Sequence, residues 1–246
     1  MRHAVPPLRL LLALLALAAS GLAQIPDKFT NLQVLPKDIS KKDLVRTMRG
    51  FATDLGVRCG YCHVGGDTNT LQGVNFPSDE SDKKKTARAM LRMTLAINSE
   101  YLAKMELRPA QQVTCLTCHH RLADPRPIEA VLTESLEKDG PEAAVALYRK
   151  LKSETYGSGR YDFSDIPLNG LGETLLEADK LKEAVAILEL DAEMNPESAW
   201  GRYLLGVAHN ATGEKEKARA DFQKALELNP KNAMAKKRLE ELDKPK

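Results

Sequence analysis

The chain has 246 residues, with 36 Lys and Arg against 34 Asp and Glu and a formal charge of +2 at pH 7. Arg2 and Arg9 belong to a segment with the features of an export signal, and without them the basic residues match the 34 acidic ones. Phosphate recognition needs a concentrated basic surface, so nucleic acid is excluded as a partner; the one dense basic cluster, Lys83-Lys84-Lys85, follows Asp79, Glu80 and Asp82 and reads as a solvated helix start.

Residues 1–23 carry the two arginines, an apolar run over 10–19 (LLLALLALAA) and small residues in SGLAQ that suit cleavage after Ala23. The run is short for a membrane span. Export to the periplasm is expected, as a soluble protein or one held at the membrane by a partner or by an uncleaved N-terminal segment. No cysteine stands beside the cleavage point to take a lipid.

The first predicted helix is SKKDLVRTMRGFATDLG, over 40–56, with Ser40 as N-cap, Asp43 three residues on and Gly56 at C′. It leads into RCGYCH, in which Cys59, Cys62 and His63 follow one another at the spacing CxxCH. A long polar loop, VGGDTNTLQGVNFPSDES, separates this from a second helix expected from about Lys83 to Leu102, with Ser81 or Asp82 as its cap. A second CxxCH follows at Cys115, Cys118 and His119. Pro125 and Pro127 in LADPRP then break the chain.

Beyond residue 128 the sequence repeats. Pro196 and Pro230 are 34 residues apart, and the same offset pairs Leu171 with Leu205, Gly172 with Gly206, Ala184 with Ala218 and Leu188 with Phe222. That period with helix-turn-helix patterning is the tetratricopeptide signature. GPEAAVALYRKLK reads as the second helix of an earlier, degenerate repeat, with Ala144 and Tyr148 in the places of Ala218 and Phe222, and residues 232–242 as a polar capping helix. Two and a half to three repeats are near the minimum that buries a continuous core.

Two thiols and an imidazole within five residues suit zinc, a redox dithiol or a c-type haem. Zinc sites built from paired CxxC lack a trailing His on each pair, and a thioredoxin-like dithiol needs a βαβ context that the chain does not offer. CxxCH is the c-haem attachment signature: the two thiols add to the two vinyl groups on one porphyrin edge, and the next residue reaches the iron from the same turn of helix. Two copies predict two c-type haems, one on Cys59, Cys62 and His63 and one on Cys115, Cys118 and His119.

The sixth ligand separates electron transfer from ligand binding. Met closes the iron's second face and raises its potential, whereas an open face admits small molecules. Met48 lies in an ordinary apolar stripe with Leu44, Phe51 and Leu55, which by itself suggests core. Setting MRGFATDL over MLRMTLAI, however, pairs Met48 with Met90, Phe51 with Met93 and Leu55 with Ile97. Each CxxCH is thus preceded by a similar helix, with Met48 and Met90 as equivalent candidate ligands and Met93 as the alternative to Met90. His120 is a poor ligand beside His119, His209 reads as a surface or packing residue, and Arg58, Arg88 and Arg92 suit haem propionates or a solvated face. Tyr61 and Thr117, inside the motifs, carry no separate signal.

NLQVLPKDISKKDLVRTMRGFATDLGVRCGYCH, KKTARAMLRMTLAINSEYL and VTCLTCHH together resemble the cytochrome c subunit of photosynthetic reaction centres over about residues 29–126. The resemblance implies an axial Met48 from the helix beside the first haem. For the second haem it implies either a Met or a distant His. Typical members have four haems and many are lipid-anchored; two motifs and appended repeats make this chain similar to one half of such a subunit.

The expected fold is all-α: a signal segment over 1–23, a dihaem cytochrome c domain over 24–127 and a tetratricopeptide-like repeat domain over 128–246. The expected role is one-electron transfer between donor and acceptor proteins, such as a membrane-bound reaction centre or respiratory complex, with the repeats binding a protein partner or serving assembly. The alternatives are a haem enzyme or sensor with an open axial site, and a redox-modulated scaffold.

Overall fold

The computed structural model describes residues 25–67, 70–105 and 111–244, so the expected signal segment lies outside the described residues. All regular structure among them is helical apart from two isolated antiparallel bridges, Val64 with Asn75 and Asp67 with Gln72, which close the polar loop after the first motif. The chain divides into two compact units, meeting between Pro125 and Arg126.

In the first unit, helix α1 (Lys41–Leu55) starts where expected: the Ser40 side chain accepts a hydrogen bond from the Asp43 amide. It stops at Gly56, whose φ of 65° is left-handed, the conformation that glycine supplies at lowest cost. A side chain is also excluded there by packing, because a Cβ on Gly56 would lie 2.2 Å from the Arg121 carbonyl oxygen. Helix α2 (Asp82–Ala96) is followed by a π-helical turn, Ile97–Tyr101, and a 3₁₀ turn, Leu102–Lys104. The predicted single helix to Leu102 is therefore interrupted. At the π turn Asn98 bonds both backbone groups of Val113, donating to its carbonyl at 2.7 Å and accepting from its amide at 2.8 Å. Its amide thus acts as one rung of a ladder and fixes the segment entering the second motif, whose helix is α3 (Cys115–His119).

The second unit is a stack of helix pairs: α4 (Ile128–Asp139) with α5 (Pro141–Thr155), α6 (Asp165–Glu177) with α7 (Leu181–Met194), and α8 (Ala199–Ala211) with α9 (Lys215–Leu228). Helix α10 (Ala233–Leu242) caps the stack, with the Asn232 side chain accepting from the Ala235 amide. The 34-residue period has a direct packing cause. A Cβ on Gly172 would lie 2.4 Å from Leu188 Cδ2, and one on Gly206 would lie 2.6 Å from the Phe222 ring, so each pair closes on a residue without a side chain. Ala144, Tyr148, Ala184, Ala218 and Phe222 are all fully buried, as their equivalence requires. Two apolar clusters result, one centred on α4–α7 and one on α7–α10.

The units differ sharply in their interiors. Among the described residues before Arg126, Leu44 is the one apolar side chain in the core, whereas Tyr61, Met90, Met93, Leu95, Tyr101, Met105 and Leu116 are exposed. A unit of this size ordinarily stands on a buried apolar core.

Candidate functional site

Both CxxCH segments fold as one tight helical turn. In the first, Cys59–Tyr61 is a 3₁₀ turn and the His63 amide donates to the Cys59 carbonyl at 3.0 Å. In the second, α3 spans the motif, and Cys115, Cys118 and His119 share one face by their i, i+3, i+4 spacing. Thr117 has a role that the sequence did not disclose. Thr114 and Thr117 cap this short helix reciprocally, the Thr114 amide donating to Thr117 Oγ1 at 3.0 Å. All four cysteines are free thiols, as thioether formation requires.

The backbone after the second motif turns back on itself. His120 and Arg121 both have positive φ, 48° and 64°, a conformation costing roughly 1 kcal/mol or more at each non-glycine residue. The turn is held because the Arg121 amide donates to the Asp54 carbonyl at 3.1 Å, tying it to the end of α1. It brings the Leu122 carbonyl 2.8 Å from His119 Nδ1. With Nδ1 donating, Nε2 keeps its lone pair for a metal, the arrangement by which proteins fix the tautomer of a ligating imidazole.

His63 is held differently. Its Nδ1 is buried without a well-formed hydrogen bond, and the Phe76 ring meets the imidazole edge-on with centroids 5.1 Å apart. Burial lowers the His63 pKa, the positive charges of Lys84 and Arg88 push it the same way, and weak hydrogen bonding to the Phe76 backbone opposes them. The Cys62 thiol is raised, first by burial and then by Cys59, against the pull of Lys83 and Lys84; Cys115 is raised by burial and by Asp54.

The loop carrying Phe76 is anchored by a network invisible to sequence patterning. Lys84 Nζ donates to the carbonyls of Phe76 (2.8 Å) and Ser78 (2.7 Å), and Asn31 Nδ2 donates to that of Pro77 (2.6 Å). Lys84 and Arg88 both pair with Asp79, at 3.3 and 2.7 Å, and their side chains are only 11% and 13% exposed. Their charges, with a hydrogen bond from Asn31 as the largest contribution, hold the Asp79 carboxyl down at about 2. Lys84 is thus not part of a solvated helix start. Arg88 bonds Asp79 and the Asn31 carbonyl instead of lying on a solvated face.

The candidate methionines are placed on the helices as expected: Met48 is half-buried on α1, and Met90 and Met93 are 38% and 46% exposed on α2. His209 is not a surface residue. It is 3% exposed, and its Nδ1 lies 2.7 Å from the Asp221 carboxylate.

A c-type haem fits this donor set. Each motif offers two free thiols and an imidazole on one turn, one imidazole is already fixed with Nε2 available, and the first unit presents exposed methionines and aromatics where an apolar core would otherwise stand.

The profile of the photosynthetic reaction centre cytochrome C subunit family matches residues 13–186, running past the second motif into α7, and a tetratricopeptide repeat profile matches residues 199–232, which span α8 and α9. Cytochrome c-554 of Chloroflexus aurantiacus is 39% identical over 90 residues, 37% of this chain; the match spans 20% of that protein's length. Among solved structures, the first tetratricopeptide domain of human RPAP3 is similar at 18% identity with a TM-score of 0.33, over 47% of this chain and 86% of its own. MamA (41-end) from Desulfovibrio magneticus RS-1 is similar at 23% identity with a TM-score of 0.35, over 66% of this chain and 85% of its own. The family and the Chloroflexus protein are c-type cytochromes, which hold haem covalently. The chain therefore belongs to the photosynthetic reaction centre cytochrome C subunit family and carries a tetratricopeptide repeat in its second unit.

Proposed function

We propose that the chain is an exported, periplasmic dihaem cytochrome that transfers single electrons between protein partners. In this reading residues 1–23 are a signal segment, 24–127 the haem domain and 128–246 a repeat domain for partner binding or assembly. Cys59 and Cys62 fasten the first haem and His63 binds its iron; Cys115, Cys118 and His119 do the same for the second. Met48 would be the second protein ligand to the first iron, and Met90, or Met93 on the neighbouring face of α2, the second protein ligand to the other. When bound, haem supplies an iron that alternates between ferric and ferrous.

The protein's part is to hold that group rigidly, dry and correctly ligated, since nothing in electron transfer requires a substrate bond to be broken. The observation carrying this reading is the paired CxxCH turns, one with its imidazole held through Nδ1 by the Leu122 carbonyl. Bidentate thioether attachment and an oriented imidazole minimise movement between oxidation states. The donor and acceptor are redox proteins, a reaction centre or a respiratory complex among them, and no helix among the described residues is long and apolar enough to cross a membrane.

Carbon monoxide tests the closed axial face. The reduced protein is expected to keep its spectrum under carbon monoxide, because methionine ligation would leave neither iron open to a small molecule. Rapid uptake at either haem without displacement of a protein ligand would instead favour a haem enzyme or gas sensor.

A further inference from the structure

The two motifs sit in opposite electrostatic surroundings. The first faces the N-terminal turns of α2. Lys83 Nζ lies 5.6 Å from the centroid of Tyr61, inside the motif. Lys84 and Arg88 share the single carboxylate of Asp79 and are mostly buried, so their combined charge is only partly neutralised and poorly screened. The positive end of the α2 dipole adds to the same field, and Lys84 Nζ donates to the carbonyl of Phe76, whose ring meets the His63 imidazole edge-on with centroids 5.1 Å apart. The second motif faces the other end of a helix. The Arg121 amide, two residues beyond His119, bonds the carbonyl of Asp54 at the C-terminal, negative end of α1. Arg121 is itself exposed, so its cation is screened by solvent.

Hydrogen bonding acts in the same direction as charge. His119 donates through Nδ1 to a carbonyl, which makes an imidazole a stronger donor to a metal. His63 Nδ1 makes no such well-formed bond. An electron-rich ligand and a negative neighbour both favour the oxidised, more positive centre; a weaker ligand and positive neighbours favour the reduced one.

We propose that Lys84 and Arg88, anchored on Asp79, are positioning residues that pin the Phe76 loop against His63 and raise the reduction potential of the first haem site, while Asp54 and the Leu122 carbonyl lower that of the second. In a half-reduced chain the electron then resides at the Cys59–His63 site. This rests on the dihaem reading, and haem content measured on each variant separates the two: fewer than two haems per chain overturns that reading, whereas a wrong response with both haems present overturns this one.

The test is spectroelectrochemical titration of the full-length holoprotein at low ionic strength, comparing wild type with K84M, K84R, D79N and D54N. Two midpoints are expected. K84M lowers the higher one, K84R leaves it in place, D79N raises it by removing the counter-charge, and D54N raises only the lower one. A merely structural role for the network would move K84M and D79N in the same direction, since both loosen the Phe76 loop. That result, or a K84M shift confined to the lower midpoint, overturns the proposal.

Discussion

At the scale of single residues, the site depends on which atoms of two imidazoles are already engaged. His119 Nδ1 is spent on the Leu122 carbonyl, and the two left-handed residues that make this bond possible are held through the Asp54 carbonyl. Gly56 belongs to the same arrangement, because only a residue without Cβ lets the end of α1 approach Arg121. The methionine assignment is also a single-residue matter. Met48→His is expected to lower the midpoint of the first haem markedly, since bis-His ligation favours ferric iron over His/Met. A potentiometric titration unchanged from wild type would remove Met48 as the ligand.

At the scale of elements, the repeat unit contains a buried polar layer whose ionisation works against the fold. Asp191 on α7 is fully buried, with Oδ1 accepting from Asn195 at 2.8 Å and Oδ2 unpartnered. Asn169 Oδ1 is likewise unpartnered, and both oxygens occupy the space that a Cβ on Gly201 would need. Burial pushes the Asp191 carboxyl up to about 6, with Asp165 adding to the rise and Asn195 and Arg202 opposing it. A folded pKa above the unfolded one favours the protonated fold, so this contribution is complete below about pH 4 and is lost as pH rises through about 6. The loss is about 3 kcal/mol by neutral pH. Asp191→Asn keeps the acceptor for Asn195 and places a donor near Asn169. Denaturant titrations should find the variant more stable than wild type at pH 7 by about 1–3 kcal/mol, with the difference vanishing near pH 4. An equal difference at both pH values would assign the effect to packing.

The sequence disclosed these elements unevenly, for physical reasons. Ser40 and Gly56 announced both ends of α1 because capping is local chemistry. Gly172 with Leu188 and Gly206 with Phe222 announced the repeats because each close approach forces the same small-against-large pair every 34 residues. The π turn after α2 was not legible, since it coincides with a contact between Asn98 and Val113, fifteen residues away. Lys84 and Arg88 looked like solvated charges because their counter-ion, Asp79, and their carbonyl partners are fixed by the loop's three-dimensional path. The CxxCH spacing is visible in the sequence because it is local, while the Leu122 carbonyl that bonds His119 Nδ1 is not.

At the scale of the whole molecule, the second unit has two apolar clusters of its own, whereas the first keeps one apolar side chain in its core and displays methionines and aromatics among the described residues. Covalently bound haem accounts for that contrast if it supplies the missing apolar bulk at both motifs. Dependence on haem should accordingly be confined to the first unit, with the repeat helices folding without it. The most direct measurement is a pyridine haemochrome spectrum on the purified full-length protein, made quantitative against protein concentration after acid-acetone extraction has removed any unattached haem. Two haems per chain, with the bands of a doubly thioether-linked c-type haem, are the predicted result. One haem per chain, or none with a metal ion held by the cysteines instead, would contradict the account.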